Sequence, residues 1–105
     1  MADRFKTAVD IDDEDIHWSP ERGLSYASYL NIDQILSAQA LLTDEHDEMM
    51  FVIVHQASEL WLKLCLHELD AAIARLSQDQ PRPAMKMLAR IARVQEQLTQ
   101  SWAIM

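Results

Sequence analysis

Among the four histidines, His55 stands apart, because it follows Met49-Met50-Phe51-Val52-Ile53-Val54, the most apolar stretch of the chain. An imidazole in such surroundings must find a partner or line a cavity, since burying it unpaired is costly. Its ordinary reading is a core histidine with its ring nitrogens satisfied. The alternative is a pocket residue that accepts or donates a proton near neutral pH. Phe51 lies four residues before it and Glu59 four after, on the same face of a helix. Phe51 either walls an apolar pocket beside the imidazole or is plain core. Glu59 either orients His55 or pairs with Lys63. His17 and His46 lie in acidic, polar surroundings that suit the surface, and His67 suits a structural hydrogen-bonding role.

Other chemistries find less support. His55 and Glu59 make His-x-x-x-Glu, which matches neither the zinc-protease nor the di-iron helix pattern, so no protein-ligated metal is expected. Cys65 and His55 are ten residues apart, about 15 Å along a helix, too far for a nucleophile and its base. No Gly-rich phosphate loop exists in a chain with one glycine. Tyr26 and Tyr29 share a helical face. They read as staples packed on a neighbouring element, or as a lid on another subunit's pocket.

These residues need helices to position them. One glycine and three prolines leave little for the turns of a sheet. Residues 1–22 are polar and acidic and read as a flexible arm. From Ser25 to Gln39 apolar residues recur every three or four positions, which predicts one short amphipathic helix, or a turn leading into one near Asn31. Thr43 and Asp44 are expected to cap a long helix, with Glu45, Asp47 and Glu48 in its first turn, running to about Ser77. That helix is apolar on nearly every side, so it is expected to be buried on most sides, against helices this chain need not supply. Pro81 and Pro83 predict a connection and the start of a third helix. Ala84, Met87, Leu88, Ile91, Val94, Leu98, Trp102 and Met105 give that helix an apolar stripe. It is expected to run uncapped to the end. Arg82, Lys86, Arg90 and Arg93 form a second stripe, read as a solvated face or as partners for acids elsewhere.

The net charge of −8 argues against nucleic acid, which is bound through Lys and Arg contacts to phosphate. Cys65 is the sole cysteine, so no internal disulfide forms, and a reducing compartment, the cytoplasm, is expected. No stretch is read as apolar enough to span a bilayer, and Met1 to Asp15 lack a secretion-signal core.

Longer strings of residues carry a resemblance. Tyr26-x-x-Tyr29-Leu30-x-Ile32-Asp33-x-Ile35-Leu36-x-Ala38-Gln39 and His46-Asp47-Glu48-Met49-Met50-Phe51-Val52-Ile53-x-His55-Gln56 resemble the opening motifs of tryptophan 2,3-dioxygenases. The likeness continues through Ser58-Glu59-Leu60-Trp61-x-Lys63-Leu64, His67-Glu68-Leu69-x-Ala71-Ala72, Lys86-x-Leu88-Ala89-Arg90, Gln97-Leu98 and Trp102. It covers roughly residues 24–105, with residues 23–105 read as the N-terminal helical part of the family's domain. It implies an all-α haem b protein, usually a homotetramer, that uses O2 to open the indole ring of L-tryptophan. The product is N-formylkynurenine, in the first step of tryptophan catabolism by the kynurenine route. It further implies that His55 hydrogen-bonds the indole N–H on the distal side of the haem, that Phe51 lines the same pocket, and that Trp102 belongs to the haem surroundings. Tyr26, Tyr29 and Leu30 are implied to reach a neighbouring subunit's active site. The connection Ala40–Glu45 departs from the family by being shorter and lacking its Pro and paired His. The family's carboxylate-binding arginine, a further pocket tyrosine and the proximal haem histidine have no counterpart among these 105 residues. The chain alone is therefore expected to be an inactive part of such an enzyme. The competing readings are a non-catalytic helical oligomerisation module, and a haem sensor using His46, His55 or His67 as axial ligand.

Overall fold

The structure, a computed structural model, describes residues 25–105. The acidic arm read over residues 1–22, and His17 within it, lie outside the described residues. All regular structure among the described residues is helical, as expected: α1 (Tyr26–Tyr29), α2 (Ile32–Leu36), α3 (Glu48–Ser77) and α4 (Pro81–Trp102). The chain divides into two compact units between Ala40 and Leu41.

In the first unit, the single helix expected over Ser25–Gln39 is broken in two. Ser25 and Ser28 form a reciprocal capping box that starts α1. Asn31 then takes a left-handed conformation, φ 54°, which ends one helix and caps the next. Asparagine tolerates that region better than most residues. The turn near Asn31 is thus the alternative that holds.

The second unit is a helical hairpin. Its first helix starts later than expected. Thr43 and Asp44 do not cap it, and Glu45 and Asp47 precede its first turn. The reason is Glu48, whose carboxylate turns back to accept from the Leu42 and Thr43 amides and the Thr43 hydroxyl, each at 2.8 Å. Those bonds hold residues 42–45 as an ordered approach instead of a first turn. Helix α3 ends at Ser77 as expected. Asp79 takes φ 58°, the Asp79 amide donates to the Leu76 carbonyl at 3.0 Å, and the Gln80 amide donates to the Arg75 carbonyl at 2.8 Å. This is the left-handed helix stop that glycine usually provides, here made by aspartate. Pro81 sits at the first position of α4, where its missing N–H removes nothing.

The two long helices meet along one seam. On α3, Val54, Ser58, Trp61, Cys65, Glu68 and Ala72 follow steps of four and three. On α4, Ala84, Met87, Ile91, Val94, Leu98 and Ser101 follow steps of three and four. All are buried or half-buried. This repeat is the one by which paired helices interdigitate. Leu88, Trp102 and Met105, expected in the α4 stripe, are exposed. Helix α4 does not run to Met105; it stops at Trp102, and the amides of Ala103 and Ile104 tighten the last turn by donating to Gln100 and Ser101.

Helix α3 is not buried on most sides within this chain. Leu60, Leu62, Leu66, Ile73 and Leu76 face outward and are exposed. Contrary to expectation, α3 is also long and apolar enough to cross a membrane by length and composition alone. Its buried polar residues, Ser58 and Glu68, face a partner helix instead of lipid, and each is bonded to α4.

The stop at Asp79 makes a stability prediction. A β-branched residue at φ 58° is strained, so Asp79→Val should lower stability by about 1–2 kcal/mol, whereas Asp79→Gly should not. Urea unfolding followed by helical circular dichroism distinguishes the two.

Candidate functional site

His55 lies on α3 one turn after Phe51, and its Nδ1 sits 2.7 Å from the Phe51 carbonyl oxygen. A carbonyl only accepts, so Nδ1 carries the proton and donates. In the neutral ring Nε2 therefore holds the lone pair and is the acceptor. The backbone of α3 sets this tautomer. Glu59, one of the candidates for orienting His55, is exposed and plays no part.

Two aromatic rings flank the imidazole. Phe51 lies with its ring centroid 4.1 Å away at a 32° tilt. Trp102, from the far end of α4, stands nearly perpendicular to the imidazole, at 72°, with its ring centroid 4.6 Å away. Phe51 is 55% exposed and Trp102 45%, while His55 is half-buried. The three residues form one open wall, apolar and π-rich, with a single acceptor nitrogen set into it. The hairpin thereby brings Trp102 of α4 beside His55 of α3.

Sequence reasoning missed what holds Trp102. Its indole N–H donates to the Ser58 hydroxyl at 3.1 Å, and that hydroxyl donates to the Val54 carbonyl at 2.8 Å. Ser58 is only 6% exposed. The available signal was a serine inside an apolar helical run, three residues after His55 and four after Val54.

Other residues fall elsewhere. Tyr26 is half-buried, and Tyr29 and Leu30 are exposed, on and just after α1 in the first unit. Among the described residues Glu59 makes no ion pair with Lys63. His46 and His67 are exposed. Of the basic stripe on α4, Arg90 pairs with Glu68 at 3.1 Å, and Glu68 is nearly buried. A shallow groove beside that pair, about 390 Å³, is lined by Trp61, Leu64, Arg90, Arg93, Val94 and Gln97, among others, away from His55.

A planar macrocycle such as haem is recognised mainly by flat apolar contact plus a few polar groups. Phe51, Trp102 and His55 are residues of the kind that would line one face of such a pocket. The Nε2 lone pair supplies a hydrogen-bond acceptor at it.

A family model described as Tryptophan 2,3-dioxygenase matches residues 11–105. The chain is 50% identical over 95 residues to a Bacillus thuringiensis protein named tryptophan 2,3-dioxygenase, covering 90% of this chain and 34% of that one. Proteins of the same name from Geobacillus thermodenitrificans and Erythrobacter litoralis are 52% identical over 90 residues and 58% over 82. These cover 86% and 78% of this chain, and 32% and 31% of the relatives. The chain thus spans about a third of the length of the curated relatives it matches.

The approach to the site has its own pH dependence. The Leu42 amide, then the hydroxyl and amide of Thr43, hold the Glu48 carboxyl below its ordinary value of 4.5. A carboxyl so lowered stabilises the fold above its unfolded pKa, and the contribution fades as pH falls through the folded value. Hydrogen exchange at Leu42 and Thr43 should therefore show full protection at neutral pH and loss below about 4.5. Glu48→Gln should lower that protection at neutral pH. Equal protection in the variant would contradict the assignment.

Proposed function

This chain belongs to the tryptophan 2,3-dioxygenase family, and we propose from that premise that it supplies the distal wall of a haem pocket in which L-tryptophan reacts with O2 to give N-formylkynurenine. The observation that carries the reading is the fixed tautomer of His55, whose Nδ1–H is committed to the Phe51 carbonyl. Nε2 is then the one strong acceptor in an aromatic wall, and an indole N–H is a donor with an apolar body. The pairing matches both halves of that ligand. Phe51 and Trp102 would lie against the haem and the indole, and His55 would orient the indole through its N–H. Bound haem would activate the oxygen; the residues of this chain bind, orient and exclude water.

Tyr26, Tyr29 and Leu30 are assigned to substrate binding in a second copy of the chain, consistent with two aromatic residues on a one-turn helix. Assembly into a homotetramer and a cytoplasmic location complete the reading; the single cysteine suits a reducing compartment. By itself the 105-residue chain is not expected to turn over L-tryptophan, because no residue in it matches the family's carboxylate-binding arginine or proximal histidine. The exposed apolar residues of α3 favour a second reading, a helical oligomerisation module without catalysis. An absorption spectrum after haem addition separates the two, since only the first predicts a sharp Soret band.

The acceptor role makes a sharper prediction. Haem-loaded protein should bind indole about tenfold more tightly than 1-methylindole, the worth of one ordinary hydrogen bond. His55→Ala should erase the difference. Equal affinities for the two in the unmodified protein would sink the assignment of Nε2.

A further inference from the structure

We propose that Ser58 is a positioning residue for His55, acting through Trp102. The proposal rests on the reading of His55 as the indole acceptor and adds how its direction is set. The hydrogen bonds run one way. The Ser58 hydroxyl donates its single hydrogen to the Val54 carbonyl at 2.8 Å, which turns its lone pairs outward. The indole nitrogen of Trp102 can only donate, and it meets those lone pairs at 3.1 Å. Ser58 is 6% exposed, so water has little access to replace the hydroxyl.

The consequence falls on the imidazole. The covalent Cβ–Cγ bond and the Nδ1 bond to the Phe51 carbonyl together set the ring plane, and a single hydrogen bond leaves that plane soft to rocking about the Cβ–Cγ axis. The Phe51 ring lies beside the imidazole with centroids 4.1 Å apart, and the Trp102 ring stands nearly perpendicular to it with centroids 4.6 Å apart. Where the Trp102 ring stands therefore limits that rocking and with it the direction of Nε2. Trp102 is the last residue of α4, where backbone restraint is weakest. The tether to Ser58 replaces that restraint. Both reference points, the Phe51 and Val54 carbonyls, belong to consecutive turns of the same helix, so His55 and its gauge are measured from one frame.

The test uses 15N-labelled protein and reads two signals, solvent exchange of the Trp102 indole proton and the ring nitrogen shifts of His55. Ser58→Ala should speed the indole exchange by roughly tenfold, the worth of an ordinary hydrogen bond, and should displace the His55 ring shifts. Ser58→Thr keeps the hydroxyl and should restore both. Trp102→Phe keeps a ring but removes the N–H; it should displace His55 as Ser58→Ala does, and combining the two should add nothing further. If Ser58→Ala leaves both signals at their original values, the proposal is overturned. If that variant fails to fold, Trp102→Phe decides alone, and an unmoved His55 overturns it. The indole to 1-methylindole affinity ratio then separates this proposal from the function it rests on. A tenfold ratio that survives Ser58→Ala overturns the positioning role while the function stands. A ratio of one in the unmodified protein, with His55 still displaced by Ser58→Ala, removes the function and leaves the tether supported.

Discussion

Two helices lying side by side bury one stripe each, and the rest of the second unit follows from how that stripe is filled. The most deeply buried apolar residues of the hairpin are small: Val54, Ala72, Ala84 and Val94. Small side chains let α3 and α4 approach closely, but they bury little area, and area is what the hydrophobic effect rewards. A seam of this kind holds the helices together without dictating how far one slides along the other. A slide by one heptad puts Ile91 in place of Ala84, Val94 in place of Met87 and Cys65 in place of Ala72, one apolar or thiol side chain for another.

The polar residues in the seam remove that freedom. Ser58 meets Trp102 near the open end of the hairpin, and Glu68 meets Arg90 further in. Moving ten residues along α3 corresponds to moving twelve back along α4, as an antiparallel pair requires. The Glu68 carboxylate cannot be left unpaired in the interior, and the Ser58 hydroxyl, already donating to Val54, gives the Trp102 indole N–H its acceptor on the opposite helix. Sliding the helices breaks both contacts together, and the Glu68 carboxylate is the more costly of the two to strand. Register is thereby fixed by two bonds, and the register is what brings Trp102 to His55. The Arg90 pair and the aromatic wall are two outcomes of one alignment.

Much of this was legible in the sequence. The helical periods of Glu48–Ser77 and Pro81–Trp102 follow from patterning alone, and Pro81 marked the turn. What failed was local. Glu48 looked like an ordinary acid of a first turn, but its carboxylate is spent on the preceding amides, so the helix begins there and not at Thr43. Asp79 and Asn31 take left-handed conformations that their sequence neighbourhood does not announce, since glycine is the usual sign. His55 was visible because an imidazole in an apolar run is conspicuous. Its tautomer was not, because it depends on a backbone carbonyl that every residue possesses. Ser58 was invisible for a related reason: a helical serine usually bonds its own backbone, and only the fold shows a tryptophan 44 residues away donating to it.

The exposure of the wall bears on what His55 can do. A half-exposed Nε2 is solvated, and a ligand N–H that replaces water there gains little net energy. The same acceptor covered by apolar surface discriminates strongly, since a ligand lacking the N–H strands it. The wall of Phe51, His55 and Trp102 therefore gains selectivity only as it is covered. The outward residues of α3, including Leu60, Leu62 and Leu66, continue beyond the wall along the same helix and are exposed. Apolar surface packed on them would exclude water from that stretch of α3. The apolar excess that makes the helix too hydrophobic for a free hairpin is the same property that lets its one imidazole act as a selective acceptor once the helix is enclosed.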